Sequence, residues 1–212
     1  LEFEEIYNNT ETLLRSSGFA VVAGEFKSRN LFYFAKYASQ LKGAYAEVGT
    51  YAGGTARIIT EAAPEKKFYT FDSFEGIKRI DKKFDRPHFK DAFDHDGLEK
   101  TAREVLSSCK NVEIIKGWFP NSFHLLDLQN KKFCFVHADA DVYPSTKAIC
   151  EVFFPRLVPG GIIIFDDYGY EDTPGARQAV NEYFADKYET PSILTGGQAV
   201  VIKSDDYWLK NV

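Results

Sequence analysis

The chain has 212 residues, 44% of them hydrophobic and 27% charged, with a formal net charge of −5. That describes one globular domain with a sizeable core, and the acidic balance argues against non-specific nucleic-acid binding, which needs a positive surface field. No apolar stretch reaches the length of a membrane span, and Cys109, Cys134 and Cys150 form neither a CxxC pair nor an even disulfide framework, which points to a reducing, cytoplasmic setting.

The first residues, LEFEEIYNN, are acidic and amphipathic, unlike a signal peptide. Helical spacing over 2–16 (Phe3, Ile6, Tyr7, Leu13, Leu14) and over 25–41 (Phe26, Leu31, Phe34, Tyr37, Ala38, Leu41) predicts two helices in an N-terminal segment, 1–43. Then AYAEVG (44–49) reads as a strand, YAGGT as a turn, 56–63 as a helix and 66–72 as a second strand. Strands follow at 111–117 and 132–139, then a helix at 145–157 that Pro155 ends or kinks, a VPGG turn, a strand at 161–166 and a helix at 174–187. Two β-rich pieces, 190–195 and 199–203, flank Gly196 and Gly197, a link so short that it permits only an antiparallel pair. Strands alternating with helices predict an α/β fold: one Rossmann-like domain over 1–212 with a mostly parallel seven-stranded sheet and one antiparallel edge strand. Residues 75–97 break the repeat. They are dense in charge and carry Phe84, His88, Phe89 and Phe93, and they read either as a solvated insertion with its own small core or as a lid over a site.

Gly49, Gly53 and Gly54 lie between the first strand and its helix at a spacing that is not the dinucleotide GxGxxG. A plain tight turn is one reading. The other is a cradle in which a ligand approaches the backbone and a helix start offers free N–H groups to a carboxylate or phosphate. Asp72 ends the second strand 23 residues after Gly49, where an acid holds a ribose diol. Glu47, near the end of a strand expected to be buried on both faces, is an edge acid or a partner for an ammonium group. Together these describe S-adenosylmethionine better than NAD.

Four carboxylates follow. Asp139 and Asp141 end the fourth strand, and Asp166 and Asp167 end the fifth, 27 residues after Asp139. One helix and one turn fill that interval, a complete crossover, so the two strand ends lie side by side where open α/β sheets bind ligands. Carboxylates so gathered repel unless protons or a cation intervene. An all-oxygen set suits Mg2+, with Asp139, Asp166 and Asp167 as ligands and Asp141 free to act as a base. The plainer alternative is that one or two of them cap the next helix or turn. His137 reads as a packed core residue two positions from the acids. Trp118 reads as core or as a surface for adenine, and Arg177 as a helix-start residue near the site.

The segments EVGTYAGGT, FDSFEG, KGWFPNSF, HADADVYPST, PGGIIIFDDYG and GARQAVNEYF, in that order over roughly 44–185, resemble the macrocin O-methyltransferase family of sugar O-methyltransferases. The resemblance implies a class I methyltransferase fold and Mg2+-dependent methyl transfer from S-adenosylmethionine to a hydroxyl of a small molecule, a sugar above all. It assigns Glu47 to the methionine amine, Thr55 to the methionine carboxylate, Asp72 to the ribose, Asp139, Asp166 and Asp167 to the metal, and Asp141 to the general base. Gly49, Tyr51, Gly53, Gly54 and Ser73 complete the expected cofactor contacts, with Asp139 serving both groups. ADAD stands where the family has LDGD or close to it. No nucleic-acid or membrane partner is expected, and a homodimer is left open. Two other functions compete: a glycosyltransferase using Asp139-Ala140-Asp141 as a DxD motif, and a nucleotide-binding module without chemistry.

Overall fold

A computed structural model describes residues 2–205. Two helices, α1 (Phe3–Arg15) and α2 (Gly24–Ala38), precede β1 (Ala44–Val48), α3 (Gly54–Ala62) and β2 (Phe68–Asp72). Then come α4 (Leu98–Val105), β3 (Val112–Lys116), a short α5 (Asn121–His124), β4 (Phe133–Ala138) and α6 (Tyr143–Phe153). β5 (Leu157–Phe165), α7 (Pro174–Phe184), β6 (Ser192–Ile193) and β7 (Ala199–Ile202) end the order. The strands form one sheet, ordered β3-β2-β1-β4-β5-β7-β6. All pairs from β3 to β5 are parallel, and β7 runs antiparallel to both β5 and β6. The antiparallel strand therefore sits one place in from the edge, with the two-residue β6 outside it. The order reverses between β1 and β4, which opens a crevice at the C-terminal strand ends.

Strand alternation sorts the core into two faces. Ala44, Ala46 and Val48 of β1 pack with Ile149, Phe153, Val180 and Phe184 of α6 and α7. Tyr45 packs on the other side with Leu31, Ala35 and Ala38 of α2 and Ala56 and Ile59 of α3. β5 follows the same rule, with Ile163 and Phe165 on the first face and Ile162 and Ile164 on the second. Even-handed counting then sends Glu47, His137 and Asp166 to the side that faces α2 and α3. The helices α1, α3 and α4 close a third cluster around Phe3, Leu14, Ile58 and Val105.

Two local expectations are corrected. The VPGG segment is not a turn: it lies inside β5, whose register against β4 jumps from Phe133↔Leu157 to Phe135↔Ile162. Gly160, at φ +77°, lets the extra residues bulge without leaving the sheet, and Gly160 N–H and Gly161 C=O still pair with Lys203 at 2.8 Å each. The inner stripe of α2 is also different. Phe26 and Tyr37 are exposed, at 69% and 62%, and the buried positions are Lys27, Ser28, Leu31, Phe32, Ala35 and Ala38.

Gly49 marks the closest approach of β1 to the loop after β4. At φ +102°, a Cβ there would lie 1.7 Å from the Asp139 carbonyl oxygen. Gly49→Ala combines a disfavoured backbone with a clash against main chain. It is expected to cost at least ~3 kcal/mol in chemical denaturation; a loss under ~0.5 kcal/mol would show that the two strand ends part easily there.

Candidate active site

The crevice holds a cavity of about 580 Å3 at the ends of β1, β2, β4 and β5, a size suited to a nucleoside-bearing ligand. Of the residues singled out from sequence, Gly49, Tyr51, Gly54, Thr55, Asp72, Ser73, Asp139, Asp141, Asp166 and Asp167 line it. Gly53 does not. At φ +87° it opens α3, and a Cβ on it would face Ala102 of α4 at 3.3 Å, so its smallness serves helix packing.

Asp72 sits at the rim. Its carboxylate accepts the Tyr51 N–H at 2.7 Å and the Phe74 N–H at 2.8 Å. Burial pushes its pKa up despite those two donors. Both oxygens keep lone pairs for further donors, as a pair of vicinal hydroxyls would supply. The α3 N-terminus bears no side-chain cap, and Gly54 and Thr55 of its first turn line the same cavity, where a helix start can offer N–H groups to an anion. Trp118 lines the cavity at 38% exposure, which places it on the wall and not in the core. The 75–97 segment forms the facing wall through Ile77, Phe89 and Phe93. It is pinned by buried Asp85, which accepts the Tyr143 N–H at 2.8 Å and the Asp81 N–H at 2.7 Å.

Glu47 is corrected more fully. It is 0% exposed and lies beneath the cavity floor. One oxygen takes Thr55 Oγ1 at 2.8 Å and His137 Nδ1 at 3.0 Å; the other takes Thr70 Oγ1 at 2.8 Å. Three protein donors hold this carboxylate, and it does not line the cavity, so in this structure Glu47 is part of the floor and not of the cavity wall. His137 is buried, as expected, but it is not passive packing. Its Nε2 lies 3.3 Å from Asp166 Oδ1, so both ring nitrogens face carboxylates. Burial works to lower its pKa, but the hydrogen bonds to Asp166 and Glu47 win and raise it to about 10.

Above that floor the four acids divide. Asp166 accepts His137, Gln198 Nε2 at 2.7 Å and, on its other oxygen, the Lys27 ammonium. Burial works to raise its pKa, and these donors overcome that and bring it to about 2. Asp167 is raised to about 6 by burial and by Asp166 beside it. Asp139 and Asp141 are also held above the usual carboxylate range, by burial first and then by the neighbouring acids. Asp141 departs from the extended geometry expected of it: at φ +58° the chain has turned, and its N–H donates to Asp167 Oδ2 at 3.0 Å. When ionised, the four carboxylates face two cations, Lys27 and His137, and burial together with the resulting excess of negative charge holds three of them above the usual range. His137, Asp139 and Asp166 each bring a donor atom within 4.8 Å of one another. With both ring nitrogens bonded to carboxylates, His137 has no lone pair to offer, so any hard cation here would be met by oxygens.

Lys27 is the residue that sequence reading missed. The signal was its place at i−4, i−8 and i−11 from Leu31, Ala35 and Ala38, the true inner stripe of α2. Arg177 is engaged elsewhere: it donates to the Tyr168 and Tyr170 carbonyls at 2.7 and 3.3 Å and fixes the loop after β5.

This sheet order, with its single antiparallel strand beside β5 and a cofactor-sized crevice at the switch point, is the class I methyltransferase fold. CalS11, a calicheamicin methyltransferase, superposes with a TM-score of 0.72 at 17% identity, over 95% of this chain and 93% of that one. Residues 34–195 match the macrocin O-methyltransferase (TylF) family, and the chain belongs to that family. Two curated relatives are similar. One is the 8-demethyl-8-(2,3-dimethoxy-alpha-L-rhamnosyl)-tetracenomycin-C 4'-O-methyltransferase of Streptomyces olivaceus, 26% identical over 69% of this chain and 59% of that protein. The other is the mycinamicin III 3''-O-methyltransferase of Micromonospora griseorubida, 28% identical over 65% of this chain and 58% of that protein. The chain thus spans somewhat under six-tenths of the length of these relatives. The family match decides against the DxD glycosyltransferase reading. Among the described residues, no helix is long and apolar enough to cross a membrane.

The raised Asp167 gives a signed pH dependence. A carboxyl whose folded pKa lies above its unfolded value contributes stability below about pH 4, and that contribution is lost as pH rises through about 6. In chelator, Asp167→Asn is expected to flatten the fall in melting temperature over that window and to be more stable than the parent at pH 8 by about 1–3 kcal/mol. An unchanged slope would mean that Asp167 is already fully compensated when ionised.

Proposed function

We propose that the protein transfers a methyl group from S-adenosylmethionine to a hydroxyl of a small molecule, with a sugar of a glycosylated natural product as the acceptor. The observation that carries this is the cavity itself. Asp72 and the glycine-lined start of α3 stand at one end of it, and the acid pair Asp139 and Asp141 stands at the other. Support for the acceptor class comes from the relatives, whose names specify rhamnosyl and mycinamicin hydroxyls.

In this reading Asp72 accepts the ribose hydroxyls, Tyr51 and Ser73 flank them, and the free N–H groups at Gly54 and Thr55 receive the methionine carboxylate. Trp118 offers a flat face for the adenine. The methionine ammonium is met by the negative field of the acid cluster, Asp139 foremost, and not by Glu47. Transfer breaks the bond from sulfur to methyl and forms one from the acceptor oxygen to methyl, while the hydroxyl proton passes to Asp141. The raised pKa of Asp141 makes it a better proton acceptor than an ordinary carboxylate. The donor set of Asp139, Asp166 and Asp167 fits Mg2+ in chemistry and charge, since the acids outnumber the cations around them. When bound, such an ion would lower the pKa of the acceptor hydroxyl. Residues 75–97 act as a lid whose Ile77, Phe89 and Phe93 keep water from the transferring methyl.

The test is transfer of labelled methyl to a panel of glycosylated acceptors, with and without chelator. Asp141→Asn is expected to lose about 10²–10⁴-fold in rate while binding S-adenosylmethionine normally in calorimetry. Full activity in that variant would remove Asp141 from the proton path, and transfer untouched by chelator would remove the metal.

A further inference from the structure

Lys27 is a cation where a metal-binding cluster has no room for one. It rises from the inner face of α2, 6% exposed, and its ammonium bonds Asp166 Oδ2. The same nitrogen stands 4.2 Å over the Tyr170 ring, a second attraction for positive charge. Asp139 and Asp167, the other two expected metal ligands, lie close enough to bias the charge on Lys27. Asp166 Oδ1 is meanwhile fixed by Gln198 Nε2 at 2.7 Å and His137 Nε2 at 3.3 Å. Gln198 is in turn gripped by Asn30 of α2, whose Nδ2 donates to Gln198 Oε1 and to the Thr195 carbonyl, both at 2.9 Å. One oxygen of Asp166 is therefore locked by neutral and floor groups, and the other is held by a single tethered ammonium.

We propose that Lys27 is a built-in counter-ion of the acid cluster, docked on Asp166 Oδ2 when no divalent ion is bound and displaced into the cleft when one binds. The inference rests on the metal reading above. An ammonium and a divalent ion on one carboxylate oxygen repel, so one excludes the other. Lys27 itself lines the cavity, so its side chain can swing into open space without unfolding α2. The grip of Gln198 and His137 on Oδ1 keeps Asp166 aimed while Oδ2 changes partner. Lys27 thus keeps the floor assembled in the empty enzyme and sets how tightly the ion is held.

Mn2+ binding to the intact chain, read by electron paramagnetic resonance without methyl donor or acceptor, separates the possibilities. Lys27→Gln keeps a neutral donor for Asp166 and removes the competing charge, and it is expected to bind Mn2+ at least about tenfold more tightly than the parent. Equal or weaker binding in the variant, with clear binding in the parent, overturns the role of Lys27 and leaves the metal reading standing. If neither protein binds Mn2+, the metal reading falls and this inference with it. Should Lys27→Gln fail to fold, the unsubstituted chain provides the readout. Acylation of Lys27 by a small amine reagent, followed by peptide mass, is expected to be severalfold faster in saturating Mg2+ than in chelator. Unchanged or slower acylation contradicts displacement.

Discussion

His137 is held between two carboxylates, and the site is built on that contact. Its two ring nitrogens reach Glu47 at 3.0 Å and Asp166 at 3.3 Å, across the ends of β1, β4 and β5. Thr70 of β2 extends the chain on one side, and Lys27 of α2 on the other. Four adjacent strand ends and one helix are thereby joined through alternating charge in a dry layer. Such a chain is demanding, because losing one member leaves a buried charge unpaired at a cost of about 3–5 kcal/mol. It also specifies register: Glu47 lies opposite His137 in the β1–β4 pairing, and a slip of one residue would turn each of them to the wrong face.

The floor explains why the cavity above it can carry so much unbalanced charge. Asp166 shares its charge between the floor and Lys27, whereas Asp139, Asp141 and Asp167 face the opening with burial and one another raising their pKa values. Groups in that state are unfavourable for stability and useful for binding cations and accepting protons, a division common at catalytic centres. At the other end of the crevice, Asp72 and the capless start of α3 offer acceptors and donors suited to a nucleoside and a carboxylate. The two ends are brought together by the approach of Gly49 to the Asp139 carbonyl, which only a residue without a side chain permits.

Much of this could be read from the chain. The strands are the apolar runs, a right-handed crossover puts β4 beside β5, the short Gly196-Gly197 link pairs the last two strands antiparallel, and the acids at the strand ends follow from where such sheets bind ligands. The misreadings have physical causes. Pro159-Gly160-Gly161 carries the composition of a turn, but Gly160 takes a positive φ that lets the segment bulge within β5. Phe26 and Tyr37 fit the helical spacing of α2 but are exposed, and the buried stripe beside them contains Lys27, whose charge hides it in a search for apolar periodicity. Glu47 was legible as a buried acid in a central strand. Its partners were not, since Thr70 and His137 lie 23 and 90 residues away and only strand pairing brings them near.

The most direct measurement is nitrogen-15 NMR of His137 in protein labelled at histidine. If the ring is the charged link between Glu47 and Asp166, both nitrogens carry protons at pH 8, where a free histidine is neutral, and they lose one only toward pH 10. A ring at pH 8 with one bare nitrogen would contradict the account, for the floor would then be a neutral hydrogen-bond chain and the acids above it would lack the cation on which their arrangement depends.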